Sequence, residues 1–223
     1  ARPRAAQLVQ AGRVAVAGKV VRDPARAVEP GMTITLDGEP LREADRLYLA
    51  LHKPRGVDCQ QRPHAGRWIG DLLPPEAVGL EPAGRLDLRA RGLMLVSNDL
   101  WWNARVAEAT DLERRYQIVV RGSIDRMALD LVRTGVSLPS QGTIRPLWVQ
   151  VRQETGRQTT VEVAVRGGHH RQIRAVFTTL RYEVLSMVRS GFGPLDLGAL
   201  APGASRPLTP VEVQQLARGG AHG

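Results

Sequence analysis

The chain has 223 residues and a formal net charge of +9 at pH 7, which favours polyanionic partners because neutralising phosphates releases condensed counterions. Its one cysteine, Cys59, excludes a disulfide framework and a cysteine-based zinc site, and 4% aromatic residues exclude a broad base-stacking platform. No apolar run approaches the roughly 20 residues that span a bilayer, and no signal peptide opens the chain, so a cytoplasmic protein that faces nucleic acid is expected. Of the 31 basic residues, 29 are arginines, the exceptions being Lys19 and Lys53; arginine's planar fork pairs with phosphate and stacks on bases.

Residues 1–22 carry Arg2, Arg4, Arg13, Lys19 and Arg22 and no acid. Ala5–Val9 is predicted to continue as a short helix that Gly12 stops. VAVAGKVV, residues 14–21, reads as a hairpin around an Ala-Gly-Lys turn. Pro30-Gly31 marks another turn, and Met32–Gly38 alternates like a strand. A basic helix beside a small sheet suits docking onto structured RNA, with Arg2, Arg4, Arg13 and Lys19 as candidate contacts.

A charged connector, Leu41–Arg46, leads to a buried strand at Leu49–Leu51 and then to a basic loop, Lys53-Pro54-Arg55-Gly56. The Arg-rich segment Gly84–Asp99 holds Asp87 just before an apolar strand, Leu93–Val96. Asp99 reads as the N-cap of a helix over Trp101–Ala109, with Trp101 and Trp102 packing it. Tyr116–Val120 alternates as a strand, and Ile124–Thr134 as an amphipathic helix opened by Ser123 or Asp125. Strands over Ile144–Arg152 and Thr159–Val165 follow, then a Gly167-Gly168 turn, a helix over His170–Leu180 and a strand over Tyr182–Val188. Long antiparallel-looking strands with a few interspersed helices indicate an α+β domain with a mixed, mainly antiparallel sheet and flanking helices.

Three segments combine a polar side chain with a rigid context: Arg85-Leu86-Asp87, Tyr116 at the start of its strand, and Arg171-Gln172-Ile173-Arg174, where Arg171 and Arg174 share a helical face. Taken alone, an acid among arginines is most often an ion pair, a tyrosine in a strand is core, and a helical arginine is solvated. His169-His170 does not make a metal site, since adjacent residues project apart and no third ligand is near.

Residues 1–38 resemble the S4 RNA-binding domain from its second helix onward, so the module, residues 1–44, is expected to lack its first helix. The remainder, residues 48–218, resembles the catalytic domain of the site-specific rRNA pseudouridine synthases of the small and large ribosomal subunits. Five motifs carry the likeness in order: LHKPRG (51–56), GRLDLRARGLMLVSND (84–99), ERRY (113–116), GHHRQIR (168–174) and RYEVLSMVRSGFGPLDLGAL (181–200). The resemblance implies the pseudouridine synthase fold and isomerisation of uridine in ribosomal RNA, chemistry that needs no metal or organic cofactor, and nothing in the sequence suggests more than a monomer. It makes Asp87 the catalytic carboxylate, attacking C1′, adding at C6 or removing a ribose proton. Arg174 becomes its cation, and Tyr116 packs on the base near C5. Lys53, Arg85, Arg171 and Gln172 become RNA contacts, with Leu185 or Met187 as an apolar shelf for a flipped-out nucleotide. Ala90 and Gly167 depart from the family's usual Thr or Ser and Glu. Those departures keep a rival in view, a non-enzymatic RNA-binding or ribosome-assembly protein; a synthase acting on tRNA is a further alternative.

Overall fold

The computed structural model describes residues 2–41, 45–61, 66–74, 79–139, 142–167 and 170–219, with the backbone alone at 2–4 and 170–171. It divides into two compact units, Ala1–Asp45 and Arg46–Gly223.

In the first unit, α1 (Arg2–Gln10) is followed by β1 (Val14–Val16), β2 (Lys19–Val21), β3 (Ile34–Leu36) and β4 (Glu39–Pro40), which form a sheet in the order β2-β1-β3-β4. The helix ends where Gly12 takes φ +74°: its N–H donates to Val9 O and the Arg13 N–H reaches Leu8 O, the two bonds of a Schellman close. Both hairpins turn through two residues of positive φ, Ala17-Gly18 and Asp37-Gly38, the backbone that matches the right-handed twist of paired strands.

The second unit is built on one twisted sheet. Its strands are β5 (Tyr48–Lys53), β6 (Glu81–Pro82), β7 (Arg91–Ser97), β8 (Glu113–Arg121), β11 (Trp148–Glu154), β12 (Gln158–Arg166), β13 (Val184–Phe192), β14 (Leu195–Asp196) and β15 (Ser205–Pro207). The main path runs β11-β12-β8-β13-β7-β5-β15, with β14 on β13 and β6 on β7. Every pairing is antiparallel except β13 beside β7. Its helices are α2 (Leu100–Glu108), α3 (Arg126–Thr134), α4 (His170–Thr179) and α5 (Pro210–Arg218), and β9 (Val136–Leu138) pairs with β10 (Gly142–Ile144) apart from the main sheet.

Period-two alternation divides the core. Along β7, Met94 and Val96 face one apolar cluster with Ala128 and Val132 of α3 and Ile173, Val176 and Phe177 of α4, while Leu93 and Leu95 face a second with Trp102 and Val106 of α2 and Leu216 of α5. Helices therefore cover both faces, and the α+β expectation with a mixed, mainly antiparallel sheet is met.

Several local expectations shift. Ile144–Arg152 is two strands, because Pro146 lies between β10 and β11 and has no N–H for a ladder. The last long strand starts at Val184, after Arg181 turns the chain at φ +64°, and continues to Phe192. Asp99 does cap α2, accepting from the N–H groups of Trp101 and Trp102, and Asp125 caps α3 through Ala128 N–H. Of the two tryptophans only Trp102 packs: it is buried and its Nε1 donates to Val213 O, whereas Trp101 is 89% exposed.

Candidate active site

Asp87 lies in the loop that enters β7, and that loop is pinned at each step. Leu86 is held by Cys59, whose Sγ donates to Leu86 O (3.1 Å) and accepts from Leu86 N–H (3.3 Å). Ala90 N–H closes a turn onto Asp87 O at 3.0 Å, and Gly56 N–H donates to Leu88 O at 2.8 Å. The Lys53 ammonium, wholly buried, donates to Pro54 O (3.0 Å) and Ala90 O (2.9 Å). The KPRG and RLDLRA segments thus form one interlocked unit. Within it, Asp87 Oδ1 accepts the Arg89 N–H at 2.9 Å, a local bond that orients the carboxylate and leaves Oδ2 directed elsewhere.

That direction is Arg174. Its Nε lies 4.0 Å from Asp87 Oδ2, with the two side chains 24% and 27% exposed. Arg174 sits on α4, the element that feeds β13, while Asp87 precedes β7; the parallel contact of β13 with β7 brings their preceding segments to the same end of the sheet. Burial lowers the Arg174 pKa, Asp87 opposes that, and the nearby Arg89 and Arg55 reinforce it. The Asp87 carboxylate therefore sits among several cations, Arg174 nearest.

Tyr116 is buried on β8, opposite Arg189 of β13 and Val163 of β12. It shares an apolar cluster with Leu86, Ile173 and Met187, so the chain neighbours of Asp87 and Arg174 pack in the same core as the phenol. Tyr116 also lines a cleft of about 230 Å³ with Gly84, Arg85, Arg114 and Arg189. Arg114 is buried, and its guanidinium donates to the carbonyls of Val106, Ala107, Ala109 and Leu112. The first three of those carbonyls end α2, where a cation complements the helix dipole. Burial pushes its pKa down to about 10, with Arg189 adding repulsion.

Other expectations require correction. Lys53 is no RNA contact, since its 0% exposure and two carbonyl partners give it the role of tying the Asp87 loop. Met187 lies inside the core, opposite Ile118, and is no open shelf; Leu185, half-buried, falls at a register shift of β13 against β8. Arg85 is exposed and donates to Gln60 Oε1. Arg13 is committed to the Asp37 carboxylate, while Lys19 is exposed on β2. The side chains of Arg2, Arg4 and Arg171, and those of the His169-His170 pair, lie outside the described residues; Gln172 is half-buried on α4. Sequence reasoning missed Cys59, Arg114 and Arg189. A buried arginine leaves no periodic signal, though the Arg-x-x-x-Gly-Pro run around Arg189 stood within a quoted motif. Among the described residues no group of three or more His, Cys, Asp or Glu could hold a metal ion, and no helix is long and apolar enough to cross a membrane.

Residues 47–179 match the family described as RNA pseudouridylate synthase, and residues 1–34 match the S4 domain. An uncharacterized RNA pseudouridine synthase of Mycobacterium tuberculosis (strain H37Rv) is 32% identical over 222 residues, covering 96% of this chain and 87% of its own. Ribosomal large subunit pseudouridine synthase B of Bacillus subtilis is 28% identical over 225 residues, 100% of this chain and 92% of that one. Ribosomal small subunit pseudouridine synthase A of Escherichia coli is 29% identical over 212 residues, 93% and 90% respectively. A crystal structure of a pseudouridylate synthase superposes with a TM-score of 0.70 at 23% identity, covering 97% of this chain and 94% of that chain, and so shares its fold. The chain belongs to the RNA pseudouridylate synthase family, with an S4 domain at its N-terminus. It is an enzyme, an isomerase that converts uridine in RNA to pseudouridine.

Proposed function

We propose that Asp87 is the catalytic carboxylate of a synthase that modifies one or more uridines of ribosomal RNA in the cytoplasm, acting as a monomer. The observation that carries this reading is the Asp87–Arg174 pair at the end of a loop fixed by Lys53, Gly56 and Cys59. Isomerisation breaks the N1–C1′ bond, rotates the base and forms C5–C1′, with the C5 proton lost and N1 protonated. Atoms and electrons balance within the nucleoside, so one positioned carboxylate serves as nucleophile or base. Asp87 Oδ2, oriented by Arg89 N–H on the other oxygen, is the acting atom. Arg174 sets a positive charge beside it, and Tyr116 packs against the base beside C5.

A uracil stacked in a helix is out of reach of a loop carboxylate, so the target nucleotide is extruded or already unpaired. Arg85, exposed beside the Asp87 loop, contacts the strand that flanks it. Residues 1–44 form the docking module, with Lys19 free to meet phosphates and Arg13 bracing the Asp37-Gly38 turn. Ribosomal RNA as substrate is supported by the names of the large- and small-subunit relatives that span nearly the whole chain. Release of tritium from RNA labelled at uridine C5, compared between the wild type and Asp87→Asn, tests the assignment.

A further inference from the structure

Arg189 is 2% exposed, and its guanidinium is only partly used. Its Nε donates to Leu93 O at 2.6 Å, but Nη2 is buried with no hydrogen-bond partner among the described residues. A buried charged donor left unsatisfied is costly, and such groups persist where a ligand completes them. Arg114 stands beside it: the two guanidinium carbons lie 4.6 Å (Arg114) and 5.1 Å (Arg189) from the centroid of the Phe192 ring they share. The four backbone carbonyls on Arg114 satisfy its donors without cancelling its charge. Both arginines line the cleft that Tyr116 and Arg85 also border, and among the described residues no carboxylate lines it.

We propose that this cleft is an anion subsite in which Arg189 Nη2 binds a backbone phosphate of the RNA, with Arg114 and Arg85 supplying charge. A phosphate oxygen fits this environment better than a neutral base carbonyl, because two buried cations repel each other until an anion joins them. Bound there, a phosphate fixes the strand beside Tyr116, so the subsite positions the nucleotide on which Asp87 acts. The proposal rests on the synthase reading only for the identity of the anion's source.

The full chain has three tyrosines, Tyr48, Tyr116 and Tyr182, and the hydroxyls of Tyr48 and Tyr182 are already bound to Asp99 and Asp125. In protein labelled with 3-fluorotyrosine, inorganic phosphate titrated against chloride at matched ionic strength is expected to shift the Tyr116 fluorine resonance saturably and to leave the other two in place. Arg189→Gln, which keeps a donor for Leu93 O but loses the charge, is expected to abolish the shift. A wild-type Tyr116 resonance that does not respond overturns the proposal, as does an undiminished response in the variant. For RNA, the Asp87→Asn protein is compared with the Asp87→Asn/Arg189→Gln double variant, which removes turnover from the measurement. The plot of log affinity against log salt is expected to be shallower by about 0.7 in the double variant; an unchanged slope in the folded double variant overturns a backbone phosphate as the occupant. Tritium release by the wild type reports on the synthase reading separately, so failure of either idea is visible on its own.

Discussion

Arg174 Nε lies 4.0 Å from Asp87 Oδ2 and is itself buried with no hydrogen-bond partner among the described residues. The separation exceeds hydrogen-bond range, so the two groups interact as charges with a short gap left to close. Catalytic hydrogen bonds are often long without substrate and tighten when it binds. Arg174→Gln is expected to lower kcat by about 10- to 150-fold, the equivalent of a charge-assisted bond of about 1.5–3 kcal/mol, with RNA affinity changed far less. Single-turnover rates alongside equilibrium RNA binding check this; a variant that loses affinity but keeps its rate would place Arg174 on the RNA backbone instead.

Lys53 offers a structural contrast. Replacing it with Met leaves the carbonyls of Pro54 and Ala90 without their ammonium donor, and should cost about 1–3 kcal/mol while loosening the Asp87 loop. The expected kinetic result is a loss in kcat that exceeds any rise in KM. Burial also holds the Lys53 pKa below its usual 10.5. The unfolded chain therefore binds more protons between the depressed value and 10.5, and the Lys53 contribution to stability rises with pH across that window. Denaturant unfolding of Lys53→Met at a series of alkaline pH values should lack that rise.

Gly92 marks the parallel junction of the sheet. It takes φ +120° opposite Arg189, and a Cβ there would collide with the Arg189 backbone. Gly92→Ala should destabilise the protein by more than ~1 kcal/mol and disturb the Asp87 loop five residues upstream. Thermal unfolding and tritium release on the same preparation measure both effects.

At the far end of the chain, Glu212 bonds Arg206 and closes the capping box with Thr209. The Arg206 hydrogen bond, helped by Thr209, holds its carboxyl at about 2 against the usual 4.5. Its stabilising contribution is present above pH 4.5 and is lost as the pH falls toward about 2. Glu212→Gln should flatten that acid limb and cost about 0.5–2 kcal/mol near neutrality, read from urea unfolding across pH.

Deleting residues 1–44 should weaken binding to ribosomal RNA and make its salt dependence shallower, because the basic module then contributes no phosphate contacts. Filter binding at several salt concentrations decides it, and an unaltered slope would remove the module from RNA docking.

Much of the fold was legible because local signals and burial agreed. The alternation at Tyr116–Val120, the Asp99 cap and the turn at Gly12 each depend on neighbours within a few residues. The Thr209-Pro210-Val211-Glu212 start of α5 was equally local and went unread, though Pro at the first helical position with Thr and Glu around it is a clear opening. Pro146 likewise breaks the Ile144–Arg152 run, which the sequence presents as one strand. At the site, the order of motifs pointed to Asp87, Tyr116 and Arg174, whereas the partners that fix Asp87 could not be read. Lys53 reads as an RNA contact from the sequence because its burial follows from carbonyls 1 and 37 residues away. Cys59 gave no sign in the sequence of its bond to Leu86, 27 residues on.

The most direct test of the central claim is tritium release from 5-³H-uridine-labelled, unmodified ribosomal RNA by the wild type and by Asp87→Asn, with RNA binding measured in parallel. The account predicts release by the wild type and none above background by Asp87→Asn, which should still bind the RNA. Equal release by the two proteins would contradict it.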